Sequence, residues 1–450
     1  MRRNCRIIVL VLSLCAALWG ETLLGQEAKS SADALYAWAS SNQTWLAGQV
    51  TPNAVVPDSD PTRRQLLISY DIPPVKFPQG YHRSSIYDDA LGALVFLITG
   101  QSDRAAFTLH ALARLVRPDG SLWFGYNTAN NWPDESDHDG AIIRSGAVAW
   151  TGYVLTFYVN HQPACAGEPR CLREREVFRQ TAERLGAYLL SLRVDEPGDP
   201  CNGLLRLGYG TVTLAYSSEK KDVIERYRGE PALGISTENN ISAWFFLRQL
   251  ASLTGETRWS EAADRIRNRL LGSVWNDALG QFNAGFDAAG TPDRGRALDC
   301  ASWGALFLLA AGEPEKAQRA MEAPDRYYAA SSAESVGYRP YSDLVIYGDP
   351  QVGRFFFPDN PRKRWRELPL VWSEGTLGVA LAYMRLGQTE RARQVVSGLN
   401  PLQKGQKGLR CASMELPHQM AEAPCVAASS WLVLVTEALA GNPLAGEVWR

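Results

Sequence analysis

Apolar residues in this chain gather into two alternating kinds of segment. One kind is apolar on nearly every side and rich in small residues, and such segments begin near Asp88, Ala147, Asn239, Asp299, Glu374 and Val426. A helix that is apolar all round is expected to pack on both sides. The other kind carries one apolar stripe among charges, at about 33–49, 102–116, 172–193, 258–272, 313–322 and 388–398. The stretch LREREVFRQTAERLGAYLLSLR, which begins at Leu172, shows this second kind best.

Five of the apolar segments end on a shared signal, a glycine followed by polar residues and then, usually, a charged helix. They read FLITGQSDRA (96–105), LASLTGETRW (250–259), LLAAGEPEKA (308–317), MRLGQTERA (384–392) and EALAGNPLA (437–445). Glycine suits the left-handed residue that closes a helix. The unit is therefore an αα-hairpin, repeated along the chain. Six segments of each kind in alternation predict an all-α (α/α)6 toroid of six inner and six outer helices with long rim loops. A TPR-like solenoid is the rival, because LGQTERARQVV and AGEPEKAQRAM resemble pieces of such repeats. A solenoid needs a near-constant period, about 34 residues in that family. Here the starts of the apolar helices are unequally spaced, by roughly 52 to 92 residues, which fits a ring carrying insertions.

Three insertions, 118–146, 194–236 and 323–371, precede the second, third and fifth inner helices and so emerge at one rim. Long loops on one rim of a rigid scaffold are where binding and chemistry concentrate. The middle one contains LLRLGYGTVTLAYS (204–217), which predicts a short strand pair.

The N-terminus has a secretory layout over 1–28: Arg2, Arg3 and Arg6, an apolar run from Ile7 to Leu14, then Ala16 and Ala17. The expectation is a secreted or periplasmic protein with one domain over 29–450. Leu14 stands where a small residue precedes a lipidated cysteine, so Cys15 does not favour a lipid anchor. No later segment reads as a membrane span. The net charge of −2, with scattered basic residues, gives no case for nucleic acid.

Beyond the leader stand Cys165, Cys171, Cys201, Cys300, Cys411 and Cys425. An even number in an exported chain suggests disulfides, and the short-loop pairs Cys165–Cys171 and Cys411–Cys425 are the natural guesses. Without a Cys-x-x-Cys pair or HExxH, no zinc site is expected. DESDHDGA (134–141) lacks the EF-hand spacing and closing glutamate, and reads as a solvated acidic loop. No cofactor follows from GYG (208–210), and no G-x-S-x-G elbow occurs. The sequence leaves the oligomeric state open.

The candidate chemistry lies where the inner helices begin: IYDDALGAL (86–94), STENNISAWFF (236–246), ALDCASWGALF (297–307) and VWSEGTLGVAL (371–381). Parallel inner helices would turn Asp88, Asp89, Glu238, Asp299 and Glu374 toward one cavity. SMELPHQ (413–419) would add Glu415 and His418. Converging carboxylates are what glycoside hydrolysis requires, one protonating the leaving oxygen and one activating water or attacking. The competing explanation is capping, since acidic and hydroxyl residues suit helix starts. It weighs most on Asp88 and Asp299. Glu238 follows Ser236 and Thr237, either of which can cap, and Glu374 lies between Trp372 and Gly375. The expectation is Glu374 as base and Glu238 as acid, with Asp89 able to exchange with either. Tyr87, Trp123, Trp132, Tyr338, Tyr341 and Trp372 are candidates to stack on sugar rings, joined by Arg339, Asp88, Asp299 and Glu415 as polar contacts. Trp150, Trp244, Trp303 and Trp431 lie inside inner helices and read as core.

With YDDALGAL, TENNISAWFF and WSEGTLGVAL at the first, third and fifth inner helices, the chain resembles the six-hairpin glycosidase superfamily over most of 33–445. The resemblance implies a central carbohydrate cleft and an acid pair at the inner-helix N-termini, without saying which carboxylates form it. A lyase or epimerase on the same scaffold is an alternative, kept open by His82 and His138 near Arg83 and Arg144. A non-catalytic sugar- or protein-binding toroid is another.

Overall fold

The computed structural model describes residues 34–77, 80–129, 141–161, 165, 167–403 and 408–450. The leader, Trp132, His138 and all but the last residue of the acidic loop lie outside the described residues.

About half of the chain is helical. The helices are α1 (34–49), α2 (Ile86–Ile98), α3 (Ser102–Leu115), α4 (Ser145–His161), α5 (Pro169–Ser191), α6 (Thr237–Thr254) and α7 (Thr257–Arg269). They continue with α8 (Asp299–Ala310), α9 (Pro314–Ala320), α10 (Pro350–Phe356), α11 (Ser373–Arg385), α12 (Thr389–Ser397), α13 (Val426–Leu439) and α14 (Pro443–Glu447). The segments apolar all round are α2, α4, α6, α8, α11 and α13, and each is buried along most of its length. They pack in a closed circuit, each against the next, with α13 returning to α2. The striped helices α3, α5, α7, α9 and α12 each pack on the buried helix before them. Helix α1 reaches the segment between α12 and α13, where Asn42 donates to the Gln403 side chain (2.6 Å) and accepts from Leu409 N (3.0 Å).

The small residues of the inner helices have a visible purpose. A Cβ on Gly152 of α4 would lie 2.3 Å from the Phe246 ring of α6, so only glycine admits that approach. The glycines that end the inner helices are left-handed, with φ of +72° at Gly255 and +82° at Gly441. Fully buried side chains such as Leu94, Phe157, Phe246, Leu381 and Leu432 fill the shared core, each contributing about 1.5–3 kcal/mol.

Across the centre of the circuit runs a layer of tryptophans. Trp449 stacks on Trp150 and on Phe245, both at 4.8 Å, and meets Trp303 edge-on at 4.8 Å. Trp303 stacks on Trp431 at 5.7 Å. The backbone of Trp449 is left-handed (φ +56°), a costly conformation for a bulky residue. It is held by a bond from its N–H to Tyr153 Oη (2.8 Å) and by Arg385 donating to Val448 O (2.7 Å).

At the other end, the rim loops build a second core. Strands β1 (Arg83–Ser85) and β2 (Gly125–Asn127) pair antiparallel. Strand β3 (Ile143–Arg144) pairs with β4 (Gly208–Ser217), which forms a hairpin with β5 (Asp222–Ala232). The strand pair expected within 204–217 is thus longer and displaced, because that segment supplies only its first strand. Val223 of the hairpin joins Ile346, Tyr347, Val352, Trp365, Leu368, Leu370, Ala412 and Leu416 in a separate apolar cluster. Asp349 caps α10 beneath it, accepting from Gln351 N (2.7 Å).

Cys165 and Cys171 form the expected disulfide. Cys411 and Cys425 do not; they are buried thiols. The antiparallel bridge between Arg410 and Pro424 brings them into hydrogen-bonding contact without a bond, and burial followed by that contact pushes the Cys425 thiol well up. Among the described residues no helix is long and apolar enough to cross a membrane.

Candidate functional site

Serines rather than carboxylates cap two of the site helices. Ser85 Oγ accepts from Asp88 N (3.4 Å) at α2, and Ser236 Oγ accepts from Asn239 N (3.2 Å) at α6. No side chain caps α8 or α11. Capping therefore does not account for Asp88, Glu238, Asp299 or Glu374, which all stand in the first turn of an inner helix.

Adjacent Asp88 and Asp89 diverge, as helical geometry requires of neighbours about 100° apart. Asp88 is buried, bonded by the Ser69 and Ser85 hydroxyls and the Ala427 N–H, and burial outweighs those bonds to push its carboxyl up to about 7. Asp89 is wholly enclosed, accepting from Leu67 N (2.7 Å) and Ser84 Oγ (2.8 Å). One oxygen ties α2 to the Leu67 backbone and the other to the Ser84 hydroxyl, so Asp89 fastens the rim and is turned away from the role of acid or base expected of it.

Glu374 of α11 accepts a 2.5 Å hydrogen bond from the Tyr87 hydroxyl, which itself accepts from Trp431 Nε1 (3.1 Å). Burial, and then the charges of Asp88 and Glu238, raise the Glu374 carboxyl to about 8 against the pull of the Tyr87 bond. Burial alone lifts Glu238 to about 7. Asp299 is driven well above the usual range by burial and then by Glu238 and Glu374, and its Oδ1 is buried without a partner. A helix N-terminus favours the ionised form of a carboxylate. Here the upward direction shows that desolvation and mutual repulsion win. Asp88 and Glu238 act on Glu374, and Glu238 and Glu374 act on Asp299, so the first turns of α2, α6, α8 and α11 bring these carboxyls near one another. Glu238, Asp299 and Glu374 keep partial contact with solvent.

Aromatic walls complete the space. Tyr341 feels both Glu238 and Asp299, and its ring lies 5.3 Å from that of Trp365. The Trp372 indole lies flat enough against α11 that a Cβ on Gly375 would come within 2.2 Å of it, which gives the Trp-Ser-Glu-Gly pattern its reason. Tyr70, which the sequence did not single out, belongs here too. Its hydroxyl is pushed well up, by Cys411 first, then by burial, and further by Cys425, Asp88 and Glu374. It comes from an irregular segment with no periodic signal to mark it.

Other candidates are engaged elsewhere through their side chains or have other ring partners. Tyr338 is buried with its hydroxyl turned to Asp325 (2.7 Å). Arg339 donates to the backbone oxygens of Arg366 (2.5 Å) and Ala329 (2.6 Å), so it stitches loops together. Glu415 is exposed and accepts from Glu422 N (2.9 Å). Near it, His418 Nδ1 lies 3.1 Å from Glu225. Trp123 lies under the Arg117 guanidinium (4.3 Å), with its ring 6.2 Å from that of Tyr209. Arg144 donates to three backbone oxygens, of Ile143, Tyr209 and Gly210. Among the described residues no group of three or more His, Cys, Asp or Glu is arranged to hold a metal ion.

Solved structures share this architecture at low identity. A glycosidase variant in complex with glucose matches 91% of this chain and 98% of its own, with a TM-score of 0.57 at 11% identity. The GH63 mannosylglycerate hydrolase from Thermus thermophilus, with Tris and D-glycerate, matches 89% of this chain and all (100%) of its own, with a TM-score of 0.56 at 14% identity. D-mannose isomerase matches 91% and 97%, with a TM-score of 0.55 at 10% identity. No protein-family model and no curated protein matches the chain in sequence. The likeness establishes the fold alone: the chain has the α/α-toroid architecture of these proteins.

Proposed function

We propose that this chain is an exported glycoside hydrolase built as a toroid of six inner and six outer helices. The observation that carries the reading is the Tyr87–Glu374 bond inside a cluster of desolvated carboxyls. Glu374 is the one group of the set with a phenol donating to it, which favours its ionised form and the role of base or nucleophile. Glu238 is raised by burial alone, which suits an acid that enters the reaction protonated. Glu374 stands higher, at about 8 against about 7, and part of that comes from the Glu238 charge. The base role for Glu374 therefore rests on the Tyr87 bond, and the active form is the one in which the single proton of the pair sits on Glu238.

In the reaction, Glu238 gives its proton to the glycosidic oxygen as the bond to the anomeric carbon breaks. Water adds to that carbon, directly or after attack by Glu374, and the released proton replenishes the pair. Trp372, Tyr341 and Tyr87 offer ring faces to the sugar, while Asp88 and Asp299 can bond its hydroxyls. Export is supported by the N-terminal pattern and the Cys165–Cys171 disulfide.

The test is product release from gluco- and manno-oligosaccharides, the first choice given the sugars named for the structural neighbours, together with uronic-acid glycans. The pair needs one proton, so the rate should peak near neutral pH. It falls at lower pH as Glu374 is protonated and at higher pH as Glu238 ionises. New reducing ends with that profile are expected. Unsaturated uronic products would replace the hydrolase with a lyase, and interconversion of free sugars would replace it with an isomerase.

A further inference from the structure

The β4–β5 hairpin is rooted where α4 and α6 begin, with Ser145 N donating to Leu207 O (2.8 Å) and Leu207 N to Gly234 O (2.8 Å). Its far end meets loops that lead into α11 and α13. Val223 packs with Ile346, Tyr347, Val352 and Leu416. The Tyr216 ring lies 5.8 Å from that of Phe355, and Glu225 meets His418 at 3.1 Å. In the circuit of buried helices, the α4–α6 junction is opposite the α11–α13 junction. Six helices packed roughly 8–10 Å apart make a ring roughly 16–20 Å across. Strand β4 has 10 residues, which at roughly 3.3 Å each reach roughly 33 Å. The hairpin is long enough to cross the mouth.

On the α8–α11 side, the second core backs the hairpin and ends in the two rings that touch the site. Tyr341 stands by Glu238 and Asp299, and Trp372 lies at the start of α11. Below the carboxyls, the tryptophan layer centred on Trp449 fills the ring. A glycan held at these carboxyls meets the aromatic floor below and the second core on one side, with the hairpin long enough to close the mouth above.

Resting on the hydrolase reading, we infer that the site is a blind pocket that takes the terminal sugar of a glycan. The enzyme is then exo-acting: one water adds across the outermost glycosidic bond, and a free monosaccharide leaves with the hydroxyl on its anomeric carbon.

The experiment uses the full chain with reducing-end-labelled hexasaccharides of glucose and of mannose, followed from the earliest time points. Free monosaccharide as the first product, with labelled chains shortening one unit at a time, is expected. A mixture of fragment lengths from the outset overturns the pocket. A variant with 216–223 replaced by an Asn-Gly turn should gain internal cleavage about tenfold, a difference of about 1.4 kcal/mol in barrier. The wild-type product pattern decides the question even if that variant does not fold. Absence of any cleavage removes the hydrolase reading separately, and calorimetry then tests the pocket alone. Binding of free glucose or mannose with exclusion of the polymers supports it, and equal binding of polymer and monosaccharide overturns it.

Discussion

The mouth and the floor of the helix ring are built from the same helices, little more than one turn apart, and they treat burial in opposite ways. On α8, Asp299 stands at the mouth with an unpartnered oxygen while Trp303, four positions on, is buried in the aromatic layer. At the floor, burial of Trp150, Trp303, Trp431 and Trp449 is itself the stabilising term. At the mouth it works against stability, holding Asp88, Glu238, Asp299 and Glu374 away from their ionised forms. Strain of that kind persists in a fold where something else over-determines it. Trp431 connects the two regions, since its ring belongs to the floor and its N–H supports Tyr87 and, through it, Glu374.

The largest effect on this contrast should come from the floor. Trp431→Ala removes a fully buried indole and should cost about 3–5 kcal/mol, read as a lower midpoint of urea unfolding. A smaller loss would mean that the floor does not carry the stability assigned to it.

Next comes the pH dependence of stability. Asp88, Glu238 and Glu374 hold protons up to about 7, 7 and 8 in the folded chain, against 3.8 and 4.5 for unperturbed Asp and Glu. The folded state therefore binds more protons across that window. Stability should be highest at the acid end and fall as pH rises to about 8, where the last of these groups ionises. Glu238→Gln and Glu374→Gln should flatten the slope of melting temperature against pH, and an unchanged slope would place the unfavourable burial elsewhere.

Trp431→Phe keeps most of the ring but removes the bond to Tyr87. Losing about 1 kcal/mol of support should lower kcat several-fold with little change in KM. The smallest effect should be at the exposed rim: Glu415→Gln should shift stability by less than about 0.5 kcal/mol and leave turnover intact.

Much of the scaffold could be read from the chain because its signals are local. The starts expected near Asp88, Asp299, Glu374 and Val426 lie within two residues of Ile86, Asp299, Ser373 and Val426, and the closing glycines adopt the conformation that their position demands. The site was harder to read because it depends on direction. Asp88 and Asp89 are indistinguishable as letters, yet one lies close enough to Glu374 to raise it and the other is locked to Leu67 N and Ser84. Tyr338, Arg339 and Tyr341 share one loop, and only Tyr341 stands by the carboxyls. Tyr70 and the second core come from irregular segments, where pairing between distant loops decides placement. Cys411 and Cys425 were correctly expected to be neighbours, but proximity did not make a bond.

The central claim is that Glu238 and Glu374 serve chemistry at the expense of stability. The direct measurement is turnover and unfolding free energy, side by side, for wild type, Glu238→Gln and Glu374→Gln on one cleavable oligosaccharide at neutral pH. The account predicts that kcat falls by about a thousandfold or more, roughly 4 kcal/mol in barrier, while stability is unchanged or higher because a desolvated carboxyl has been made neutral. Variants that lose stability and keep turnover would show that these carboxyls hold the fold together and that the catalytic pair lies elsewhere.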